Sequence, residues 1–458
     1  MTISTDLSQS AAATPLVIVQ TANIAAFLAH ADAKTRAWLS ATGFSAKPHT
    51  HALVPDESGA LSCVVVGVRD AADIYALSHL PFALPPGSYR IATHHDALDD
   101  FAAVLGWELG RYEFARYRKA REPARLVVAA NAGTQRAITV AAAMNMVRDL
   151  VNTPAEDMGP QHLADAARGL ATQFGGEFRE WVGEELLQHN FPAIHAVGRA
   201  SHRPPRLIEI SWGEASHPRI AIVGKGVCFD TGGLDIKAAD GMRNMKKDMG
   251  GGAHALGLAR LVMELKLPVR MQMLVPAVEN AIAGNAYRPG EIVATRKGIN
   301  LEIGNTDAEG RVVLSDALAL AAESSPQIII DFATLTGAAR VALGPELPAT
   351  FANDDDWFNA LAAASARTQD PLWRMPLWQS YNDMIKSNIG DIINTGGPQA
   401  GAVTAALFLE HFVPRNQPWI HIDLFAWNPK ARPGRPEGGE AQTLRAVLSM
   451  LEAKFPAG

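Results

Sequence analysis

The stretch Ile222-Val-Gly-Lys-Gly-Val-Cys-Phe-Asp-Thr-Gly-Gly-Leu-Asp-Ile-Lys237 runs from an apolar strand into a segment holding Gly224, Gly226, Gly232 and Gly233. Glycine at that density past a strand end predicts a backbone that turns sharply or comes close to another group. A phosphate loop is the first chemistry to test against it, and it fails. Lys225 lacks the G-x-x-x-x-G spacing, and Gly226 stands where Ser or Thr is needed. Working outward, strand-like runs at 207–212, 219–223, 270–275, 327–332 and 419–424 alternate with helix-like runs at 251–265, 312–322 and 402–412. Several of these strands are apolar on both faces, the pattern of a sheet covered by helices on both sides. The reading is a large α/β/α domain with a mostly parallel or mixed central sheet, and its site should lie where strands end and loops begin.

A smaller α/β domain precedes it. Pro15-Leu-Val-Ile-Val and Ser62-Cys-Val-Val-Val-Gly read as strands, 24–39 and 97–117 as helices, and 126–131 as one more strand. An Ala-rich helix over 134–151 ends at Asn152-Thr-Pro, where Pro154 stops it. The expected organisation is 1–133 as an N-terminal accessory domain, 134–158 as linker helix and turn, and 159–458 as the large domain. Of the 458 residues 48% are hydrophobic and 19% charged, and the net charge is −6. That balance excludes disorder and gives no support for nucleic acid or an anionic membrane as partner. Cys63 and Cys228 are too few for a disulfide framework or a thiolate zinc site. The N-terminus lacks the basic and apolar regions of a signal peptide, and no run is apolar for long enough to span a bilayer, so a soluble cytoplasmic protein is expected.

Chemistry enters with Leu301-Glu-Ile-Gly-Asn-Thr-Asp-Ala-Glu-Gly-Arg-Val-Val-Leu314. Asp307 and Glu309 stand two apart on what reads as an extended loop, so both side chains face one way. Carboxylates crowded into a cleft repel, and a divalent cation relieves the repulsion. Gly310 and Arg311, at the start of a helix, offer N–H groups and a guanidinium to an anion. A third acid, Asp248, lies just before the helix-like run at 251–265.

Asn305-Thr-Asp-Ala-Glu-Gly-Arg311 resembles the signature heptapeptide of the leucyl (cytosol) aminopeptidase family, the di-metal M17 peptidases. Lys225, Asp230, Lys237 and Asp248 match the family's upstream pattern in order and spacing, and Asp331-Phe-Ala-Thr-Leu-Thr-Gly337 is similar to its Asp-Leu-Ala-Thr-Leu-Thr-Gly segment. The resemblance covers 148–412, while the N-terminal domain shares only its size and a Gly110-Arg-Tyr-Glu-Phe-like stretch.

The resemblance implies two divalent cations, Mn2+ or Zn2+. One would be held by Asp230, Asp307 and Glu309, the other by Lys225, Asp230, Asp248 and Glu309. Four carboxylates against two dications leave little net charge to bury. It further implies hydroxide attack on the scissile carbonyl of a peptide with a free N-terminus, whose α-amine takes a metal position. Lys237 would be the electrophile, and stabilising the oxyanion in this way is typically worth ~3–4 kcal/mol. A bicarbonate on Arg311 would be general base, and the assembly would be a homohexamer. Met245, Thr334 and Gly337 would line the pocket for the N-terminal side chain, with the Leu335 carbonyl on the substrate backbone. The chain departs from the family at Ile422-Asp-Leu-Phe-Ala-Trp-Asn428, where Phe425 replaces a small residue and is expected to reshape the pocket.

Other signals carry less. The fourteen histidines form no His-Glu-x-x-His, and His254 and His421 read as core or helix-surface residues. Cys228 reads as a buried structural thiol. No Gly-x-Ser-x-Gly is present. Lys246 and Lys247 read as solvated charges, and the basic run at 111–125, with Tyr112, Phe114 and Tyr117, as a solvated helix face. The competing class is a non-catalytic binding or scaffold protein that keeps the fold. Against it stands the intact set Lys225, Asp230, Lys237, Asp248, Asp307, Glu309 and Arg311.

Overall fold

The computed structural model describes residues 2–6, 8, 10–92 and 96–456; Met1, Leu7, Gln9, 93–95 and 457–458 lie outside the described residues. The chain forms two compact units, Met1–Asn145 with Lys430–Glu437, and Met146–Pro429 with Gly438–Gly458. The division falls inside the helix Ala132–Asn152, and the short segment 430–437 belongs with the smaller unit.

The smaller unit is built on a six-stranded sheet in the order Ile3–Ser4, Arg125–Val127, Ser88–Ile91, Thr14–Gln20, Leu61–Val68, Thr50–Pro55. All pairs are parallel except the last. Val64, Val65 and Val66 are wholly buried, as a strand covered on both faces requires. The run at 24–39 is two helices, Ile24–His30 and Ala33–Ala41, because Asp32 caps the second by accepting the Thr35 N–H at 2.8 Å. The basic run is not a helix face: the helix Asp100–Gly110 ends before it. The run from 116 to 121 is exposed, as expected, and some of its charges pair locally, with Arg118 and Arg121 on Glu113 and Arg121 stacked on Phe82 at 3.8 Å.

The larger unit carries a nine-stranded mixed sheet. Its core is four parallel strands in the order Trp419–Asp423, Ile328–Ala333, Arg219–Gly224, Arg270–Asn280. Ala349–Ala352 and Arg206–Trp212 flank that core antiparallel, and Gly226–Asp230 pairs in parallel with the distal half of Arg270–Asn280. Ala221, Val223 and Ile329 pack with Val312, Val313 and Ala317 of the helix Glu309–Glu323. The alternate residues Ile220, Ile222 and Ile330, equally buried, serve the other face, where the helix Gly250–Glu264 packs on the same strands. That helix starts very close to the sheet. A Cβ on Gly224 would lie 2.5 Å from the Gly251 carbonyl oxygen, and one on Gly251 would lie 2.1 Å from that of Phe332. The glycines at this strand end therefore answer to close approach. No helix among the described residues is long and apolar enough to cross a membrane.

Candidate active site

The carboxyl ends of the parallel strands converge on one cleft, as open α/β sheets favour. Lys225 follows the strand Arg219–Gly224 directly. Its N–H donates to Phe332 O at 2.9 Å and its carbonyl accepts the Gly252 N–H at 2.7 Å, so the backbone under the side chain is clamped from both sides. Its buried Nζ reaches Asp248 Oδ2 at 2.7 Å, Glu309 Oε1 at 2.8 Å and the Thr334 carbonyl at 3.1 Å. Asp230 closes the strand Gly226–Asp230. Oδ1 accepts the Gly232 N–H and the Asn280 amide, both at 2.8 Å, and Oδ2 lies 2.8 Å from Lys237 Nζ. Lys237 Nζ also bonds Asp307 Oδ1. Between these residues Gly232 and Gly233 take φ of +89° and +66°, the left-handed region in which glycine is favoured.

Asp307 and Glu309 converge by a route other than the extended one expected. Thr306–Ala308 is a 3-10 turn and Glu309 opens the helix Glu309–Glu323. The turn is pinned to the glycine-rich loop. The Thr306 N–H donates to Asp235 Oδ2 at 2.8 Å, the Asp235 N–H donates to Thr306 Oγ1 at 2.8 Å, and Tyr287 Oη donates to the Thr306 carbonyl at 2.6 Å. Asp230, Asp307 and Glu309 each offer an oxygen within 4.8 Å of the others, the one such acidic, His or Cys cluster among the described residues. Asp248 joins from the 3-10 turn Met245–Met249, its Oδ1 accepting the Thr334 hydroxyl at 2.9 Å.

A cavity of about 630 Å3 opens over the cluster. Eleven of the twelve residues singled out in the sequence line it: Lys225, Asp230, Lys237, Met245, Asp248, Asp307, Glu309, Thr334, Leu335, Gly337 and Phe425. Arg311 does not. It is buried beside the cavity with Nη1 on the Asn394 carbonyl at 2.8 Å, while its Nε has no hydrogen-bond partner among the described residues.

The electrostatics are those of an acid cluster short of positive charge. Burial, reinforced by Asp230, pushes the Glu309 carboxyl up to about 8, and the same causes push Asp307 up to about 6. Burial pulls the Lys225 and Lys237 ammonium groups down, but the carboxylates around them outweigh it and both end above the ordinary lysine range. Burial takes Arg311 down to about 10. Glu309 Oε2 is buried with no hydrogen-bond donor, an unusual condition for a carboxylate oxygen. Oxygen donors at this density, with some left unsatisfied, fit a divalent cation.

Several functional neighbours were not legible from motifs. Asp423, at the end of the strand Trp419–Asp423, holds the Leu335 N–H at 2.9 Å and the Thr336 hydroxyl at 2.7 Å, and so fixes the loop Thr334–Gly337. Asn394 does the same for the signature turn, its Oδ1 accepting the Gly304 N–H at 2.7 Å and its Nδ2 donating to the Asn305 carbonyl at 2.7 Å. Lys247 is not solvated: it is buried in the wall of the cavity. Lys246 is half-buried and donates to the Asn152 carbonyl at 2.6 Å. His254, His421 and Cys228 are wholly buried, away from the cavity lining.

Residues 145–448 match the profile described as the cytosol aminopeptidase family, catalytic domain, and residues 14–129 that of the M17 aminopeptidase N-terminal domain. The chain belongs to the cytosol aminopeptidase (M17) family. Members of this family are metallo-exopeptidases, that is, hydrolases. Among curated relatives, a probable cytosol aminopeptidase of Syntrophotalea carbinolica is 43% identical over 325 residues, covering 70% of this chain and 65% of that protein, just under two thirds of its length. One of Geobacter sp. strain M21 is 35% identical over 456 residues, 92% of this chain and 91% of that protein. Among solved structures, the cytosol aminopeptidase of Coxiella burnetii superposes with a TM-score of 0.93 at 48% identity, covering 97% of both chains. The bottromycin maturation enzyme BotP, solved in complex with Mn, gives 0.87 at 30% identity over 96% of this chain and 99% of that one.

Proposed function

We propose that this chain removes N-terminal residues from peptides at a centre that takes two divalent cations, Mn2+ or Zn2+. The observation that carries the reading is the cluster itself, with Asp230, Asp307 and Glu309 converging under an open cavity and a Glu309 oxygen left without a donor. Asp230, Asp248, Asp307 and Glu309, with Lys225, are the residues we assign to hold the cations. Lys225 stands as an ammonium between Asp248 and Glu309, so serving as a ligand requires it to lose its proton. Bound there, the cations would supply Lewis-acid polarisation of the scissile carbonyl and acidification of water.

The chain's own groups do the rest. Lys237, held on Asp230 and Asp307, presents its ammonium where the carbonyl oxygen gains charge. A free α-amine, which an internal peptide bond lacks, would take a metal position at this centre, and that restricts the reading to exopeptidase action. The loop Thr334–Gly337, rigidified by Asp423, is placed to orient the substrate backbone and its first side chain. The buried, unpartnered Nε of Arg311 suits an anion, and we assign it a bicarbonate. From the family we carry over a homohexamer in the cytoplasm, with the smaller unit as an accessory domain. The test is turnover of alanine and leucine p-nitroanilides by the full chain after chelation and after re-addition of Mn2+. Turnover restored by the metal supports the reading; equal rates in both states, or none in either, overturn it.

A further inference from the structure

The cations lining the cleft are of two kinds. Lys225 and Lys237 are each held between two carboxylates. Lys247 and Arg340 are not. Lys247 is only 6% exposed, yet its Nζ makes no hydrogen bond with any described residue. Its ion-pair partner, Asp248 Oδ1, is 3.6 Å away and already accepts the Thr334 hydroxyl. Arg340, on the short helix Gly337–Leu343, has neither an ion pair nor a side-chain hydrogen bond among the described residues. Both cations lie against one ring: Lys247 Nζ is 5.2 Å and Arg340 Cζ 4.9 Å from the centroid of Phe425. These three residues line the cavity together with Met245 and Gly337, the positions assigned to the N-terminal side chain. Of the cleft's other acids, Asp423 has both oxygens committed to Leu335 and Thr336, and Asp240 is exposed.

We propose that Lys247 and Arg340, set against Phe425, bind the side-chain carboxylate of an N-terminal Asp or Glu, so that the cleft selects peptides beginning with an acidic residue. This rests on the aminopeptidase reading and adds the substrate class to it. The chemistry is complementary: Met245 and Phe425 offer apolar surface to the methylene groups, and the guanidinium and ammonium offer charged donors to the carboxylate. A leucine in the same place would cover the Lys247 ammonium in the cavity wall with carbon and offer it no acceptor. Sites built around a polar partner discriminate strongly against analogues that lack it.

The experiment compares kcat/KM of the Mn2+-loaded full chain on the p-nitroanilides of Glu, Asp, Gln, Leu and Ala. These substrates have no C-terminal carboxylate, so any acidic preference must come from the side chain. We expect Glu or Asp to exceed Leu and Gln by about tenfold or more, and Lys247→Met and Arg340→Met each to lower the Glu-to-Leu ratio at least about tenfold. Taking the ratio within one variant cancels losses in folding or metal loading, and Arg340 is exposed, so its replacement spares the core. Leu or Gln handled as well as Glu by the unaltered protein, or a ratio unmoved in both variants, overturns the proposal while leaving the aminopeptidase reading intact. No turnover of any of the five substrates overturns both.

Discussion

The helix Glu309–Glu323 carries two wholly buried carboxyls about two turns apart, and their surroundings differ in one respect. Burial lifts both, Glu309 to about 8 and Asp316 to about 7. Asp316 is answered by backbone: Oδ2 accepts the N–H groups of Ala193 and Ile194 at 2.8 and 3.2 Å, and Oδ1 accepts that of Arg296 at 2.8 Å. Glu309 has one ammonium facing Oε1 and nothing donating to Oε2. Burial thus does not distinguish a functional acid from a structural one. Satisfaction separates these two: the oxygens of Asp316 are all spoken for by backbone, and Glu309, left wanting donors beside the cavity, is the one proposed above to hold a cation.

Substitution can break this contrast. Glu309→Gln is expected to weaken Mn2+ binding by more than about a hundredfold, with turnover lost in step, while the folding midpoint of the metal-free protein holds or rises. Calorimetric Mn2+ titration beside urea unfolding reads both. Asp316→Asn should do the reverse, costing about 1–3 kcal/mol of stability by leaving a backbone donor unpaired and sparing Mn2+ affinity. If Asp316→Asn abolished metal binding at unchanged stability, the distinction would be wrong. Next in size, Lys237→Met should lower kcat by about a hundredfold or more while metal affinity stays within a few fold, because the lysine's proposed task is the oxyanion.

His254 sharpens the same rule with a base. It is wholly buried and both nitrogens are used: Nδ1–H donates to the Gly250 carbonyl at 2.6 Å, and Nε2 accepts the Gln442 N–H at 2.9 Å. Burial pulls it from the ordinary 6.5 down to about 4. The unfolded chain therefore takes up a proton that the folded one refuses. Its contribution is fully present above about pH 6.5 and is lost as pH falls toward 4, on the order of 3 kcal/mol in all. Urea midpoints at pH 7.5, 5.5 and 4.5 should show the gap between the unaltered protein and His254→Gln shrinking with acid. Parallel curves would mean that another group carries the acid sensitivity. The smallest expected effect is at the cleft wall, where Phe425→Ala should shift the relative kcat/KM of Phe, Leu and Ala amides toward the larger residues by about tenfold. Unchanged ratios would remove Phe425 from the pocket's selectivity.

How much of this was legible in the sequence follows from how local each signal is. The strand leading into Gly224 and the heptapeptide at 305–311 are contiguous, and they place Lys225, Asp230, Asp307 and Glu309 at one end of the sheet. The strand expected to stop before Pro276 instead runs through it, Arg270–Asn280. The reason is a change of partner. Up to Leu274 the strand pairs in parallel with Arg219–Gly224, and from Ala277 with Gly226–Asp230, so the residue without an N–H falls at the handover. Lys247 looked like a solvated charge because nothing in Met245-Lys-Lys-Asp248 says which lysine the turn buries. Asp423 and Asn394 act on loops far away along the chain, and no local pattern reports such pairings.

Gly310 follows Glu309 in the signature, and a Cβ there would sit 2.6 Å from Lys225 Cε and 2.7 Å from its Nζ. The two residues come from different elements, yet the volume of one is set by the reach of the other. A single methyl group at position 310 would force the end of the lysine to shift from its present place while leaving all four acids in the sequence. The glycine belongs to the helix by connectivity and to the lysine by occupancy, so any side chain at 310 takes space that Lys225 now fills.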